Sequence, residues 1–138
     1  MNVELKLKSN NTILAADEQG IITILDAMPD HGGEGNGSSP MTIMLEAMAS
    51  CSFLDVLAIL RKKRKQIKSM RINVSGIRSD DHPKVFTDVK LHYILESPDA
   101  SIADLERAIE LSQTKYCGAS AMFQRSGCNV TWDSEIIS

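Results

Sequence analysis

The sequence predicts an α+β fold, and three observations carry that expectation. The chain opens with strict alternation, Val3, Leu5 and Leu7 against Glu4, Lys6 and Lys8, the pattern of a strand with one apolar face. A long apolar helix comes next, in which only Glu46 and Asp55 are charged between Met41 and Leu60. The second half then reads as a hairpin, an amphipathic helix and a last strand. A length of 138 residues suits one domain spanning 1–138.

Each element has its own justification. Over 1–26 the chain is expected to fold as a three-stranded meander: the opening strand, a turn at Asn10-Asn11, a second strand from Thr12 to Ala15, a turn near Gln19-Gly20, and a third strand from Ile21 to Leu25. The connector between Pro29 and Pro40 is rich in glycine and has the composition of a mobile loop. A phosphate cradle is disfavoured because no Lys follows the glycines as in a P-loop. Ser39 as N-cap and Pro40 at the first helical position start the central helix, expected over 40–65. Two strands from Arg71 and from Val85 form a hairpin over 70–96, turning at residues 79–83. Over 101–138, Ser101 to Glu106 opens a capped amphipathic helix reaching about Lys115, with Ile102, Leu105, Ile109 and Leu111 on its buried side. The second cysteine segment comes after it, then a strand from Cys128.

The central helix is apolar all the way round. Such a helix must be covered on every side. Its two acids and its hydroxyl residues argue against a membrane span. A chain this short builds too small a sheet to cover it, so a second copy is expected to supply the rest. The reading is an obligate homodimer.

Composition removes several classes. A net charge of −3 gives no general attraction to nucleic acid or anionic membrane. The one basic run, Arg61 to Lys65, sits where cations complement a helix C-terminus. One Trp, two Tyr and three Phe are too few for a base-stacking platform. The first eleven residues lack an apolar signal core, so a cytoplasmic location is expected. There the three cysteines are reduced by default and any disulfide is transient. No metal site is expected: there is no Cys-x-x-Cys, and His31, His82 and His92 lack ligand spacing. No signature of a Cys-His-acid hydrolase occurs.

Two cysteines are the candidates for chemistry. Cys51 lies in mid-helix, on one face with Met44, Met48 and Asp55. It reads either as a packed core residue or as a nucleophile in a Met-lined pocket. In the second case Asp55 opposes ionisation and a cation must come from elsewhere. Cys117, before Gly118, stands where a short helix begins. It reads as a connector residue or as a thiolate favoured by backbone N–H groups. Cys128 reads as structural.

The run from Gly32 through Ser39-Pro40 and Cys51 to Arg61, with Tyr116-Cys117-Gly118-Ala119-Ser120 later, resembles the OsmC/Ohr family of thiol-dependent peroxide-detoxifying proteins. The resemblance covers the whole chain in element order. The Cys51-Ser-Phe-Leu-Asp55-Val56 run is similar to the OsmC-like branch. It implies an intertwined homodimer in which antiparallel sheets wrap two long central helices. It also implies a peroxidase acting on organic hydroperoxides. Cys51 would be oxidised to a sulfenic acid and Cys117 would condense with it to a disulfide. An external dithiol or lipoyl-type reductant would restore both, with no bound cofactor. The hydroperoxide enzymes of the family use an Arg from the N-terminal region and a Glu just after the helix-start Pro. This chain has no Arg before Arg61, and Met41 stands in place of the Glu; Gly118 likewise replaces a Pro common in the second motif. Glu46, Asp55 and Arg125 are the supporting candidates, with Arg61 and Lys6 as further sources of a cation. Slow turnover or a changed substrate is the expectation, and a ligand-binding or redox-sensing dimer is the alternative.

Overall fold

The computed structural model describes residues 1–138. It is a mixed α+β fold with three α-helices and two three-stranded sheets. The chain forms two compact units, Met1–Met44 and Leu45–Ser138.

The first unit is an antiparallel meander of β1 (Val3–Ser9), β2 (Thr12–Asp17) and β3 (Ile22–Leu25). In register, Leu5 faces Ala15 and Leu7 faces Ile13, so the alternating apolar residues share one side of the sheet. Sequence alternation predicts that this side is half-buried. All seven β1 residues are instead exposed, with Val3, Leu5 and Leu7 at 70%, 56% and 71%.

The glycine-rich connector is pinned rather than loose. Asp26 is buried, and its carboxylate accepts hydrogen bonds from the backbone N–H groups of Ala27, Glu34 and Asn36 and from Thr12 Oγ1. Burial alone would raise its pKa. The three backbone donors and the Thr12 hydroxyl outweigh that and hold the carboxyl below its ordinary value. Gly37 has a separate reason to be glycine: a Cβ there would collide with the Ile24 carbonyl oxygen.

The central helix α1 (Pro40–Lys62) spans 23 residues. Ser39 caps its start: its hydroxyl lies 3.4 Å from the Thr42 backbone N–H. Arg61 and Lys62 occupy its last turn, and Arg64 takes a left-handed conformation at φ 59°. The helix therefore stops before residue 65, the boundary that sequence predicts. Met48, Ser52, Val56 and Leu60 form its buried stripe. Met44 and Leu54 remain 46% and 67% exposed.

In the second unit, β4 (Ser69–Arg78) and β5 (Phe86–Glu96) form the expected hairpin, antiparallel with Met70, Ile72 and Val74 opposite Leu95, Tyr93 and Leu91. The last strand, β6 (Asn129–Ile137), pairs with β5 in parallel. This corrects the expectation of purely antiparallel sheets. The long connection through α2 (Ile102–Leu111) and α3 (Gly118–Arg125) supplies the crossover that parallel pairing requires. On the covered face of β5, Val89, Leu91, Tyr93 and Leu95 are buried against Met48, Val56, Leu60, Leu105 and Ile109. Gly76 on β4 lies under the Phe86 ring, which a Cβ would meet at 2.8 Å.

Helix α2 begins with a full capping box, Ser101 and Asp104 each bonding the other's backbone N–H. Asp104 also pairs with Lys63 at 3.3 Å and Lys65 at 3.5 Å. The bonds from Ser101, then the lysines, hold its carboxyl well below the usual range. The buried residues of α2 are Leu105, Ala108 and Ile109. Ile102, expected on the buried side, is 44% exposed at the first helical position, where the chain has only begun to pack. The helix does not run on regularly to Lys115. It passes into a wide π-type turn, Ser112–Tyr116, which sets the direction in which the chain enters α3.

Candidate active site

The second unit brings together α1, the π turn and the start of α3. Cys51 and Asp55 share a face of α1, one turn apart. Cys117 is the N-cap of α3, and its sulfur accepts the Ser120 backbone N–H at 3.3 Å. The two sulfurs and an Asp55 carboxylate oxygen lie within 4.8 Å of one another. Cys51 is half-buried, Cys117 is buried, and both are free thiols. Cys128 is also free and buried, packed in the hydrophobic core.

A buried polar network fixes these elements. Ser112 Oγ donates to Asp55 Oδ2 at 2.9 Å. Its single proton is thereby used, so the 2.8 Å bond between Ser52 and Ser112 must be donated by Ser52. The Ser52 proton is then used as well, and Tyr93 OH donates to Ser52 at 2.6 Å. The result is a directional chain, Tyr93 to Ser52 to Ser112 to the Asp55 carboxylate. Gln113 Nε2 donates to Tyr93 OH at 2.8 Å and to Ser52 Oγ at 3.3 Å. Ser120 Oγ donates to Gln113 Oε1, and Gln124 Nε2 donates to Ser120 Oγ at 3.1 Å. No buried side-chain polar atom is left without a partner. Satisfied networks of this kind rigidify and specify one arrangement. Here the network ties the helix carrying Cys51 to the turn and helix carrying Cys117.

The helix-start position of Cys117 predicts easier ionisation. The net effect is the reverse. Burial dominates, outweighing the Ser120 N–H bond, and the neighbouring Cys51 and Asp55 add to it, so the Cys117 thiol is pushed up to about 11. One favourable backbone bond does not offset removal of a thiolate from water. Burial likewise raises the Tyr93 phenol, which remains a proton donor at neutral pH.

The other sequence-predicted residues divide. Arg125 is exposed and lines, with Lys115, Gln113 and Gln124, a recess of about 190 Å³ that reaches Cys117. Glu46 is exposed on α1. Lys6 pairs with Glu4 on β1 at 3.2 Å, and Arg61 is exposed in the last turn of α1. Met48 is fully buried under Cys117, whose thiol points toward the Met48 carbonyl at 3.9 Å. Met44 is 46% exposed within the single chain. Tyr93, Ser112 and Gln113 escape sequence reasoning, and Ser52 and Ser120 appear there only as members of the cysteine motifs, without a role. The one available signal was Ser52, a hydroxyl on the same stripe as Met48 and Val56.

The comparisons with known proteins agree with this architecture. Residues 33–133 match the family model for OsmC-like protein. Protein YhfA of Escherichia coli K12 is 30% identical over 138 residues, covering 99% of this chain and 98% of its own. The crystal structure of an OsmC-like protein from Mycoplasma pneumoniae superposes with a TM-score of 0.83 at 20% identity, covering 99% and 96% of the two chains. An organic hydroperoxide resistance protein, OsmC, from Legionella pneumophila superposes with a TM-score of 0.70 at 14% identity, covering 98% and 97%. At those identities the two structures speak to the fold alone.

Proposed function

This chain belongs to the OsmC-like family, and from that premise we propose that it is a thiol-dependent peroxidase that reduces organic hydroperoxides. The observation that carries the reading is the approach of two free thiols, Cys51 and Cys117, from distant parts of the sequence to within 4.8 Å. The substrate class is proposed from the family resemblance of the two cysteine segments, with the fold shared with the family's structures beside it.

In the proposed cycle the half-buried Cys51, as thiolate, attacks the peroxide. The O–O bond breaks, Cys51 is oxidised to a sulfenic acid, and the organic fragment takes a proton and leaves as an alcohol. The Cys117 sulfur then attacks the Cys51 sulfur. The S–S bond forms and the hydroxyl leaves as water with the Cys117 proton. An external dithiol or lipoyl-type reductant takes up the disulfide and returns two thiols. The raised pKa of Cys117 separates the two roles but slows the resolving attack, because the thiolate is the attacking species. A thiol held protonated does not compete for peroxide, and it supplies the proton that the departing hydroxyl needs.

Arg125 and Lys115, at the rim of the recess that reaches Cys117, are the proposed cations for stabilising the departing oxygen. Both are exposed, and an exposed cation acts through a high dielectric, so slow turnover is expected. That weakness favours a second reading, a redox-sensing dimer in which the disulfide alters the protein without efficient turnover. In either reading the working unit is proposed to be a homodimer in a reducing cytoplasm, supported by the uncovered apolar residues Val3, Leu5 and Leu7 of β1 and Leu54 of α1.

The test is hydroperoxide consumption with excess dithiol. Wild type is expected to turn over many equivalents, and Cys51→Ser none, with its fold intact by circular dichroism. Wild-type turnover by the Cys51→Ser protein would defeat the reading, and a single equivalent consumed by wild type would select the sensor.

A further inference from the structure

Spacing along the sequence gives no metal motif, yet the fold gathers three ligand types that a soft divalent cation accepts. We infer that, with both thiols reduced, Cys51, Cys117 and Asp55 form a three-ligand site for a thiophilic divalent cation of the zinc type. This inference goes beyond peroxidase activity and does not need turnover to hold.

The geometry is close to what such an ion requires. With Zn–S near 2.3 Å and Zn–O near 2.0–2.2 Å, tetrahedral ligands stand about 3.5–3.8 Å apart. The three atoms here lie within 4.8 Å, so side-chain rotations of about 1 Å close the cage. Two of the ligands already have outer partners of the kind that orient metal sites. Ser112 Oγ donates to Asp55 Oδ2, which leaves the carboxylate lone pairs for an ion, and the Ser120 backbone N–H already points at the Cys117 sulfur. Half-exposure of Cys51 gives the ion a way in. Three protein ligands leave the fourth position to water, the arrangement of an open rather than a closed zinc site.

Binding of the ion displaces two thiol protons to solvent and changes no oxidation state. Oxidation of the same two sulfurs to a disulfide by a hydroperoxide consumes both soft ligands. A zinc dithiolate, one hydroperoxide and two protons become the disulfide, free Zn²⁺, one alcohol and one water. Metal occupancy and the disulfide are therefore mutually exclusive, and peroxide would release the ion.

The experiment titrates fully reduced, metal-free protein with Co²⁺ and follows the thiolate-to-cobalt charge-transfer absorption. The expected result is a band that saturates at one equivalent per chain and is erased by Zn²⁺ competition and by prior oxidation. Cys51→Ser and Cys117→Ser should each abolish the two-thiolate band, and Cys128→Ser should retain it. Asp55→Asn should weaken Co²⁺ affinity on the order of tenfold or more, since even outer-partner losses cost 10–100-fold. No saturable band, a full band in either Cys51→Ser or Cys117→Ser, or unchanged affinity in Asp55→Asn would overturn the three-ligand site. Peroxide-driven disulfide formation, measured by mass on the same metal-free protein, reports separately on the peroxidase reading.

Discussion

At the scale of single residues, the division between the two cysteines follows from burial. Cys117 is 3% exposed, and its thiol is raised to about 11 despite standing at a helix start. Alkylation of Cys117 by iodoacetamide, read out by peptide mass, should therefore be negligible at neutral pH and climb only as pH approaches that value. Rapid alkylation at pH 7 would contradict it. Cys117→Ser should leave Cys51 able to react with peroxide yet unable to resolve, so a dimedone adduct should accumulate on Cys51. Ser112 holds the Asp55 carboxylate and accepts from Ser52. Ser112→Ala strands both, at a cost of about 1–3 kcal/mol, read as a lower urea midpoint with unchanged slope. These hydroxyls were not legible in the sequence. Ser112 and Gln113 look like ordinary polar residues at a helix end, and only the π turn sends them inward. Cys51 and Cys117 were legible as candidates, but their pairing came from resemblance. Nothing in their spacing shows two sulfurs meeting.

At the scale of elements, the connector after β3 shows how composition misleads. Its glycines suggest looseness, but Gly37 is there because the Ile24 carbonyl lies where a Cβ would go. Asp26 then ties the loop by its backbone donors. Its folded pKa is depressed, so the stability it contributes is present above the ordinary carboxylate range and is lost as pH falls through the folded value. Amide exchange at Glu34 and Asn36 should accelerate in that acid window, and Asp26→Asn should accelerate it already at neutral pH. Protection unchanged by Asp26→Asn would show that the carboxylate is not the anchor. The start of α1 was legible because Ser39-Pro40 is a strong local signal. Its end was less so, because Arg64 takes a left-handed turn that no residue type announced. The parallel pairing of β6 was hidden for a different reason: strand direction depends on the crossover, and alternation reads the same either way.

At the scale of the whole molecule, the sequence argument for a homodimer began with a helix too apolar to stand alone. Within the chain, α1 buries one stripe and leaves Leu54 at 67% exposure, while β1 leaves Val3, Leu5 and Leu7 open. That exposure is the ground on which the homodimer is proposed. Light scattering should report twice the chain mass of 15.2 kDa, and Leu54→Glu should shift it toward the monomer. A wild-type monomer at micromolar concentration would remove the proposed partner copy. The central claim is narrower than the assembly: two distant thiols form one redox unit. It is tested most directly by intact and peptide mass of protein treated with one equivalent of an organic hydroperoxide. The prediction is a loss of two hydrogens confined to a Cys51–Cys117 peptide pair, absent in Cys51→Ser. Oxidised protein in which Cys51 and Cys117 remain unlinked, or a disulfide to Cys128 instead, would contradict it.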